Sequence, residues 1–178
     1  MNRMRIEAVS DRRSAAVSDR RLAVLWIATA SAVVLHNFEE WALGMTTWIA
    51  THPWLPGRSL HGDQAEFAVV LAIVTSAVLV IAVAAVAFRP RWSAEVLACV
   101  AYALMFNGAS HAVVSLLSWS PMPGIITGII VLLPLGTLVT RMLPPMRWTV
   151  SNVTVTVIAA VGITAGAFAV ASVFAGAR

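Results

Sequence analysis

LAVLWIATASAVVLHNFEEWALGM, residues 22–45, is an apolar run whose second half carries one histidine and two glutamates. About 20 apolar residues are enough to cross the hydrocarbon core of a bilayer as a helix. Further apolar runs of similar length occupy residues 65–88, 94–117, 124–143 and 150–175. The sequence therefore predicts an all-α fold, a polytopic membrane bundle with five transmembrane helices.

The composition of the whole chain also indicates a membrane protein. Of its 178 residues, 60% are hydrophobic and 11% are charged, and the mean hydropathy is +0.85. A soluble globular domain carries about 25% charged residues, so this class is excluded. Five spans of about 21 residues leave no room for a second folded domain. We expect a disordered, basic, cytoplasmic segment at residues 1–21 and a five-helix transmembrane domain at residues 22–178.

Arginine predicts the orientation of these helices. All twelve basic residues are arginines, and six of them precede the first apolar run. Because arginine accumulates on the cytoplasmic side of membrane proteins, we expect a cytoplasmic N-terminus and a multi-pass protein of the plasma membrane. Topology therefore explains the net charge of +4, and we expect no nucleic-acid partner.

The ionisable residues of the first run share one helix face. At 100° per residue, Glu39 and Glu40 lie about 60° and 40° to either side of His36. A charge near the centre of a bilayer costs roughly 2.5–3.5 kcal/mol on insertion scales. This face must therefore point into the bundle, away from lipid.

The third run carries a polar stripe at a matching depth. Asn107 and His111 are four residues apart and so lie on the same helix face. Both runs are expected to lead outward, which places His36 and Asn107 about 14–15 Å below their outer ends, and Glu40 and His111 about 8–9 Å below. The two polar faces are therefore expected to meet in the outer half of the membrane.

The second run begins with HGDQAEF at residues 61–67. We interpret Asp63 as the N-cap of this helix, because aspartate accepts hydrogen bonds from the free N–H groups of the first turn. Glu66 lies one turn deeper, at the mouth of the same polar layer, and is the better candidate for a functional site.

The motif HNFEE at residues 36–40 resembles that of the HXXEE family of integral membrane proteins. The resemblance extends to the Asn107-to-His111 pair and to the Pro-Gly pair at residues 123–124, so it covers most of residues 22–143. Members of this family are described as uncharacterised. The resemblance thus supports a shared intramembrane site and leaves the activity open.

Two adjacent glutamates in a poorly hydrated layer repel one another, so a compensating group is expected. Imidazole and carboxylate side chains together suit Zn, Fe or Mn. We predict one divalent metal ion, rather than two, with the ligands His36, Glu39, Glu40, Glu66 and His111. The predicted catalytic residues are Glu39, Glu40 and Asn107. The function predicted is a membrane metalloenzyme with an outward-facing site, acting on a membrane lipid or a lipid-soluble small molecule.

Other functions are compatible with the same residues. A glutamate pair that shares a proton would make a metal-independent acid–base enzyme, of hydrolase or isomerase/cyclase type. A metal or proton carrier is a third class, and a polar network that only fixes helix packing is a fourth.

Glycine pairs in the last two runs predict close helix packing. Gly124 and Gly128 form one pair, and Gly162 and Gly166 form the other. Because glycine lets two backbones approach closely, we expect contacts within the bundle. A homo-oligomer formed through these faces is the alternative.

Overall fold

The structure is a computed structural model that describes residues 2–55 and 63–143, with side chains from residue 19 onward. Every regular element in these ranges is a helix, and no strand occurs in them. The predicted all-α class is therefore confirmed for this part of the chain. The fifth predicted helix, residues 150–175, lies outside the described residues, so the count of five helices stays a prediction.

Four of the described helices are long and apolar enough to cross a membrane. In chain order the helices are α1 (Asn2–Ala42), α2 (Met45–Ala50), α3 (Gln64–Phe88), α4 (Ser93–Ser118) and α5 (Ile125–Met142). All except the short α2 could span the bilayer, α1 through its part Asp19–Ala42. The chain is thus a membrane protein by these criteria, while its orientation and the identity of the membrane stay predictions.

The N-terminal segment is helical in the structure. α1 begins at Asn2 and continues without interruption to Ala42. The polar composition of residues 1–21 predicts disorder, whereas the structure shows residues 2–21 as a continuation of the spanning helix. Extending an existing helix avoids the costly nucleation step, so polar residues can join it. The boundary at residue 21 and the cytoplasmic location stay predictions.

Consecutive spanning helices run in opposite directions. α1 packs against α3, and α4 packs against α5. At the start of α3, Gln64 donates a 2.8 Å hydrogen bond to the carbonyl of Trp41, near the end of α1. At the start of α4, Ser93 accepts a 2.8 Å hydrogen bond from the buried indole of Trp26 on α1. We call this second region the Trp26 end of the bundle, and the opposite region, which holds residues 36–40, the motif end.

Apolar clusters divide the bundle into layers. The cluster at the Trp26 end consists of Leu25, Trp26, Ala30, Ala82, Ala85, Leu97, Ala101 and Val139. The cluster in the middle consists of Ala32, Val33, Leu104 and Leu132. The cluster under α2 consists of Met45, Ile49 and Phe67. Residues 36–40 of α1 therefore lie between the middle cluster and the one under α2, in a layer enclosed by apolar side chains.

Glycine brings α4 and α5 close together. A β-carbon on Gly108 would lie 2.6 Å from the carbonyl oxygen of Gly128. The close packing predicted from Gly128 is thus confirmed within the chain. The segment Gly128–Leu132 of α5 is π-helical and ends just before Pro134, which has no N–H to donate to the helix. Gly162 and Gly166 lie outside the described residues.

Candidate metal centre

The site begins with two residues of α1 that are one helical turn apart. His36 and Glu40 are 2% and 8% exposed, although both carry polar side chains. The Nε2 atom of His36 lies 3.3 Å from Oε1 of Glu40. The spacing of four residues places both side chains on the face of α1 that points into the bundle, as the sequence predicted.

α4 supplies the second half of the site. His111 is 3% exposed, and its Nε2 atom lies 3.0 Å from the same Glu40 oxygen. The Nδ2 group of Asn107 lies 2.8 Å from Nε2 of His36. The two imidazole rings meet edge to face, with centroids 4.9 Å apart. The predicted meeting of the two polar faces is therefore observed.

The three buried side chains could hold a metal ion. One ligand atom from each of His36, Glu40 and His111 lies within 4.8 Å of the other two. Bonds of about 2.0–2.1 Å in a tetrahedral zinc site place neighbouring ligand atoms about 3.3–3.4 Å apart. The separations of 3.0 and 3.3 Å at Glu40 are close to this value. The donor set, two imidazoles and a carboxylate, also fits Fe or Mn.

The first helical turn of α5 completes the surroundings of the imidazoles. The hydroxyl oxygen of Thr127 lies 2.8 Å from Nδ1 of His36 and is buried. Gly124 has φ +92°, and a β-carbon there would lie 2.7 Å from Cε1 of His111 and 2.9 Å from Cε1 of His36. Both its backbone conformation and its contact with the rings require glycine.

One ring nitrogen of the site has no hydrogen-bond partner among the residues that the structure describes. It is the buried Nδ1 atom of His111. The ring is held instead by Gly124 on one side and by Glu40 at Nε2. His36 and His111 therefore differ, because only His36 is fixed at both ring nitrogens.

Glu39 lies outside this group and binds the start of α5. Its Oε1 atom accepts hydrogen bonds from the N–H groups of Gly124 at 3.2 Å and Ile126 at 3.1 Å. Its Oε2 atom accepts from the N–H of Thr127 at 2.8 Å. These N–H groups have no partner within the helix, so the carboxylate of one helix caps another.

Glu66 also lies outside the group. Its Oε2 atom accepts a 3.3 Å hydrogen bond from the backbone N–H of Asp63, whose carboxylate in turn accepts from the N–H groups of Ala65 and Glu66 at 2.8 Å. This reciprocal arrangement is a capping box. It confirms Asp63 as the N-cap of α3. It also gives the Glu66 carboxylate a backbone partner at the start of its own helix, and Glu66 as a metal ligand stays a prediction.

The structure thus brings together four of the predicted site residues: His36, Glu40, Asn107 and His111. It does not bring Glu39 or Glu66 to them. Sequence reasoning missed Thr127, although a threonine three residues after the Pro-Gly pair that opens an apolar run was a usable signal. It treated Gly124 as a packing residue and as part of the family resemblance, but not as a residue in contact with the imidazoles.

Comparison with known protein families gives a match over more than half of the chain. A family described as proteins of unknown function with an HXXEE motif matches residues 26–139. The matched range contains every residue of the group and also Glu39, Gly124 and Thr127. No curated protein and no solved structure is detectably similar to the chain.

Proposed function

The chain belongs to the family of proteins of unknown function with an HXXEE motif, and we propose that it is a membrane metalloenzyme. In this proposal His36, Glu40 and His111 bind one divalent metal ion, and the enzyme acts on a lipid-soluble substrate. The observation that carries the proposal is that two buried imidazoles, those of His36 and His111, lie within 3.3 Å of one carboxylate oxygen of the buried Glu40.

The number of donors favours catalysis over a structural metal. Structural zinc sites are closed by four protein ligands, whereas catalytic ones use three and keep a position for water or substrate. Two histidines and one carboxylate are also the ligands of many non-haem iron oxygenases. Three donors converge here among the described residues. A metal bound in this way would act as a Lewis acid or generate a nucleophile from water.

The remaining residues of the site would control its environment. Asn107 occupies Nε2 of His36 in the structure, so a bound metal would free its amide as a hydrogen-bond donor to substrate. Apolar clusters on both sides of the polar layer would keep bulk water away and strengthen electrostatic interactions. The proposed catalytic role of Asn107 is therefore to bind and orient the substrate.

The surroundings favour a lipid-soluble substrate. The site lies in the spanning parts of α1 and α4. An apolar groove of about 690 Å³ runs between α1 and α3, and another of about 430 Å³ runs between α1 and α5. Neither groove is lined by His36, Glu40 or His111, but their apolar walls would contact lipid acyl chains. The position of the site within the spanning helices is what supports a lipid-soluble substrate. An outward-facing site in the plasma membrane completes the proposal.

A metal-independent acid–base enzyme is the second candidate. Glu40 lies within hydrogen-bonding distance of both imidazoles, so a proton could replace the metal between them. The glutamate would then exchange a proton with substrate, and Asn107 would stabilise developing charge.

Elemental analysis of the purified protein distinguishes the two candidates. We would express the chain with an affinity tag free of histidine, purify it in detergent without chelators, and compare it with the double variant His36→Ala, His111→Ala. His52→Ala is the matched control, because His52 stacks on Trp48 outside the group. We expect about one Zn, Fe or Mn per chain in the wild type and in the control, and none in the double variant. A wild type without metal, after reconstitution with each ion, would contradict the metalloenzyme and favour the second candidate.

A further inference from the structure

The two glutamates of the HXXEE motif have different partners. Glu40 faces the two histidines, whereas Glu39 binds three backbone N–H groups at the start of α5. On a helix these side chains diverge by about 100°, so one cannot substitute for the other. The motif therefore joins a candidate ligand to a residue that holds a neighbouring helix.

A short chain of contacts leads from Glu39 back to the site. The N–H group that lies closest to the Glu39 carboxylate, at 2.8 Å, belongs to Thr127. The hydroxyl oxygen of the same Thr127 lies 2.8 Å from Nδ1 of His36. Glu39 thus binds the backbone of the residue whose side chain binds a candidate ligand.

The hydrogen-bond partners of His36 are compatible with the tautomer that carries the proton on Nδ1. The Nδ2 group of Asn107 is a donor, so Nε2 of His36 accepts from it. In a neutral imidazole the proton then lies on Nδ1, which donates to Thr127 while the hydroxyl proton of Thr127 points to the carbonyl of Gly124, 3.4 Å away. The single lone pair of Nε2 then accepts from Asn107, and a metal ion bound at Nε2 would take the place of this hydrogen bond.

We propose that Glu39 is a positioning residue: by capping α5 it holds Thr127 in place, and Thr127 fixes the ring and tautomer of His36 so that Nε2 is the binding atom. Histidine ligands of metals generally donate their second ring N–H to a fixed acceptor, which orients the ring. This inference rests on the proposed function where it concerns the metal, but the tautomer of His36 can be measured with or without a metal ion.

The test measures the His36 tautomer and the metal affinity in matched variants. Thr127→Val removes the hydroxyl at nearly constant volume, and Thr127→Ser retains it. Glu39→Gln removes one of the two acceptor oxygens, and Glu66→Gln is its control because Glu66 caps α3 instead. Ring-labelled histidine is observed by nitrogen NMR in detergent at a pH where imidazole is neutral. His36→Ala identifies the signals of His36.

We expect the wild type, Thr127→Ser and Glu66→Gln to show His36 protonated at Nδ1. Thr127→Val and Glu39→Gln should show a mixture of tautomers and bind Zn²⁺ or Co²⁺ roughly 10- to 100-fold more weakly. Recovery by the serine variant would exclude a purely structural effect at residue 127.

The outcomes separate this inference from the proposed function. If the wild type binds no metal but the tautomer changes as expected, the metalloenzyme fails and the positioning role stands. If the wild type binds metal while Thr127→Val changes neither tautomer nor affinity, the positioning role is overturned and the metal site stands. A wild type protonated at Nε2 also overturns it. If Thr127→Val has the expected effect and a folded Glu39→Gln has none, the role of Glu39 is overturned.

Discussion

The two ends of the bundle bury polar groups in different ways. At the Trp26 end, the indole N–H of Trp26 meets the hydroxyl of Ser93, and the surrounding cluster is apolar. At the motif end, two imidazoles and a carboxylate are buried against one another. At the Trp26 end, one donor matched to one acceptor is enough to satisfy the buried indole, and the other contacts are apolar packing.

Burying the polar groups at the motif end costs more free energy than helix packing alone requires. Burying a charged group without full compensation costs several kcal/mol, and an apolar replacement of similar volume is often neutral or stabilising. Among the described residues, the α1–α4 contact at the Trp26 end contains the neutral Trp26–Ser93 hydrogen bond and the buried hydroxyl of Thr29, but no buried ionisable side chain. This contrast is a reason for the proposal that the polar group at the motif end binds a metal ion, and the following variants test that proposal.

Removing the Glu40 carboxylate should have the largest effect. Glu40→Gln loses the charge shared by His36 and His111, so we expect metal affinity to fall by more than about 100-fold, beyond the effect of residues that only orient ligands. Glu66→Gln and Glu95→Gln are the matched controls, since one caps α3 and the other lies exposed near the start of α4. Metal titration of the three purified variants gives the comparison. Equal metal binding by Glu40→Gln and its controls would contradict the proposed site.

Damage to the Trp26 end should affect stability and leave metal binding intact. Leu97 is fully buried in the apolar cluster there. Leu97→Ala should lower the free energy of unfolding by about 2–5 kcal/mol, because it removes buried methyl groups and leaves a cavity. SDS titration in mixed micelles measures the loss, and elemental analysis of the folded fraction measures the metal. Loss of metal from folded Leu97→Ala would mean that the two ends are not independent.

The sequence was sufficient for the parts of the site that depend on one helix at a time. The spacing of His36 and Glu40, and of Asn107 and His111, fixes a shared helix face whatever surrounds it. Exposing these ionisable side chains to lipid would cost too much free energy, so the sequence also predicted that the two faces meet inside the bundle. The same reasoning identified the apolar helices.

The sequence was insufficient where the partner belongs to another helix. Glu39 lies only about 60° from His36, and periodicity alone does not show that the start of α5 occupies that direction. Glu66 was predicted as a metal ligand from its expected depth in the membrane, but depth does not determine which helix face a side chain occupies. The spacing Asp63 to Glu66 is that of a capping box, and this local signal predicted the observed contact better than depth did.

Two glycines with positive φ allow backbone strain to be distinguished from crowding at the site. Gly44 and Gly124 both have positive φ, at +71° and +92°. A β-carbon on Gly44 would have no neighbour nearer than 3.8 Å, whereas one on Gly124 would lie 2.7 Å from His111. Alanine at either position should cost about 1–3 kcal/mol of stability through backbone strain.

Only Gly124→Ala should also displace the imidazoles and weaken metal binding. SDS titration and metal titration of both variants provide the two readouts. If Gly44→Ala weakened metal binding as strongly as Gly124→Ala, the contact between Gly124 and the rings would not be the cause.

The smallest predicted effect concerns the cap of α3, which lies at the motif end but outside the metal group. Asp63→Ala removes the acceptor for the N–H groups of Ala65 and Glu66. We expect the free energy of unfolding to fall by about 0.5–2 kcal/mol, as for other N-cap replacements. Metal affinity should not change, because the three donors lie on α1 and α4.

The double variant Asp63→Ala, Glu66→Gln sharpens this test. The two side chains form one capping box, so their effects on stability should not add, as expected for residues in direct contact. A cap that acts only on α3 leaves the distances among His36, Glu40 and His111 unchanged, so metal titration of the double variant should match the wild type. A fall in metal affinity confined to variants of Glu66 would instead mean that this carboxylate does serve the metal, and that the polar layer extends to α3 as its depth in the sequence first suggested.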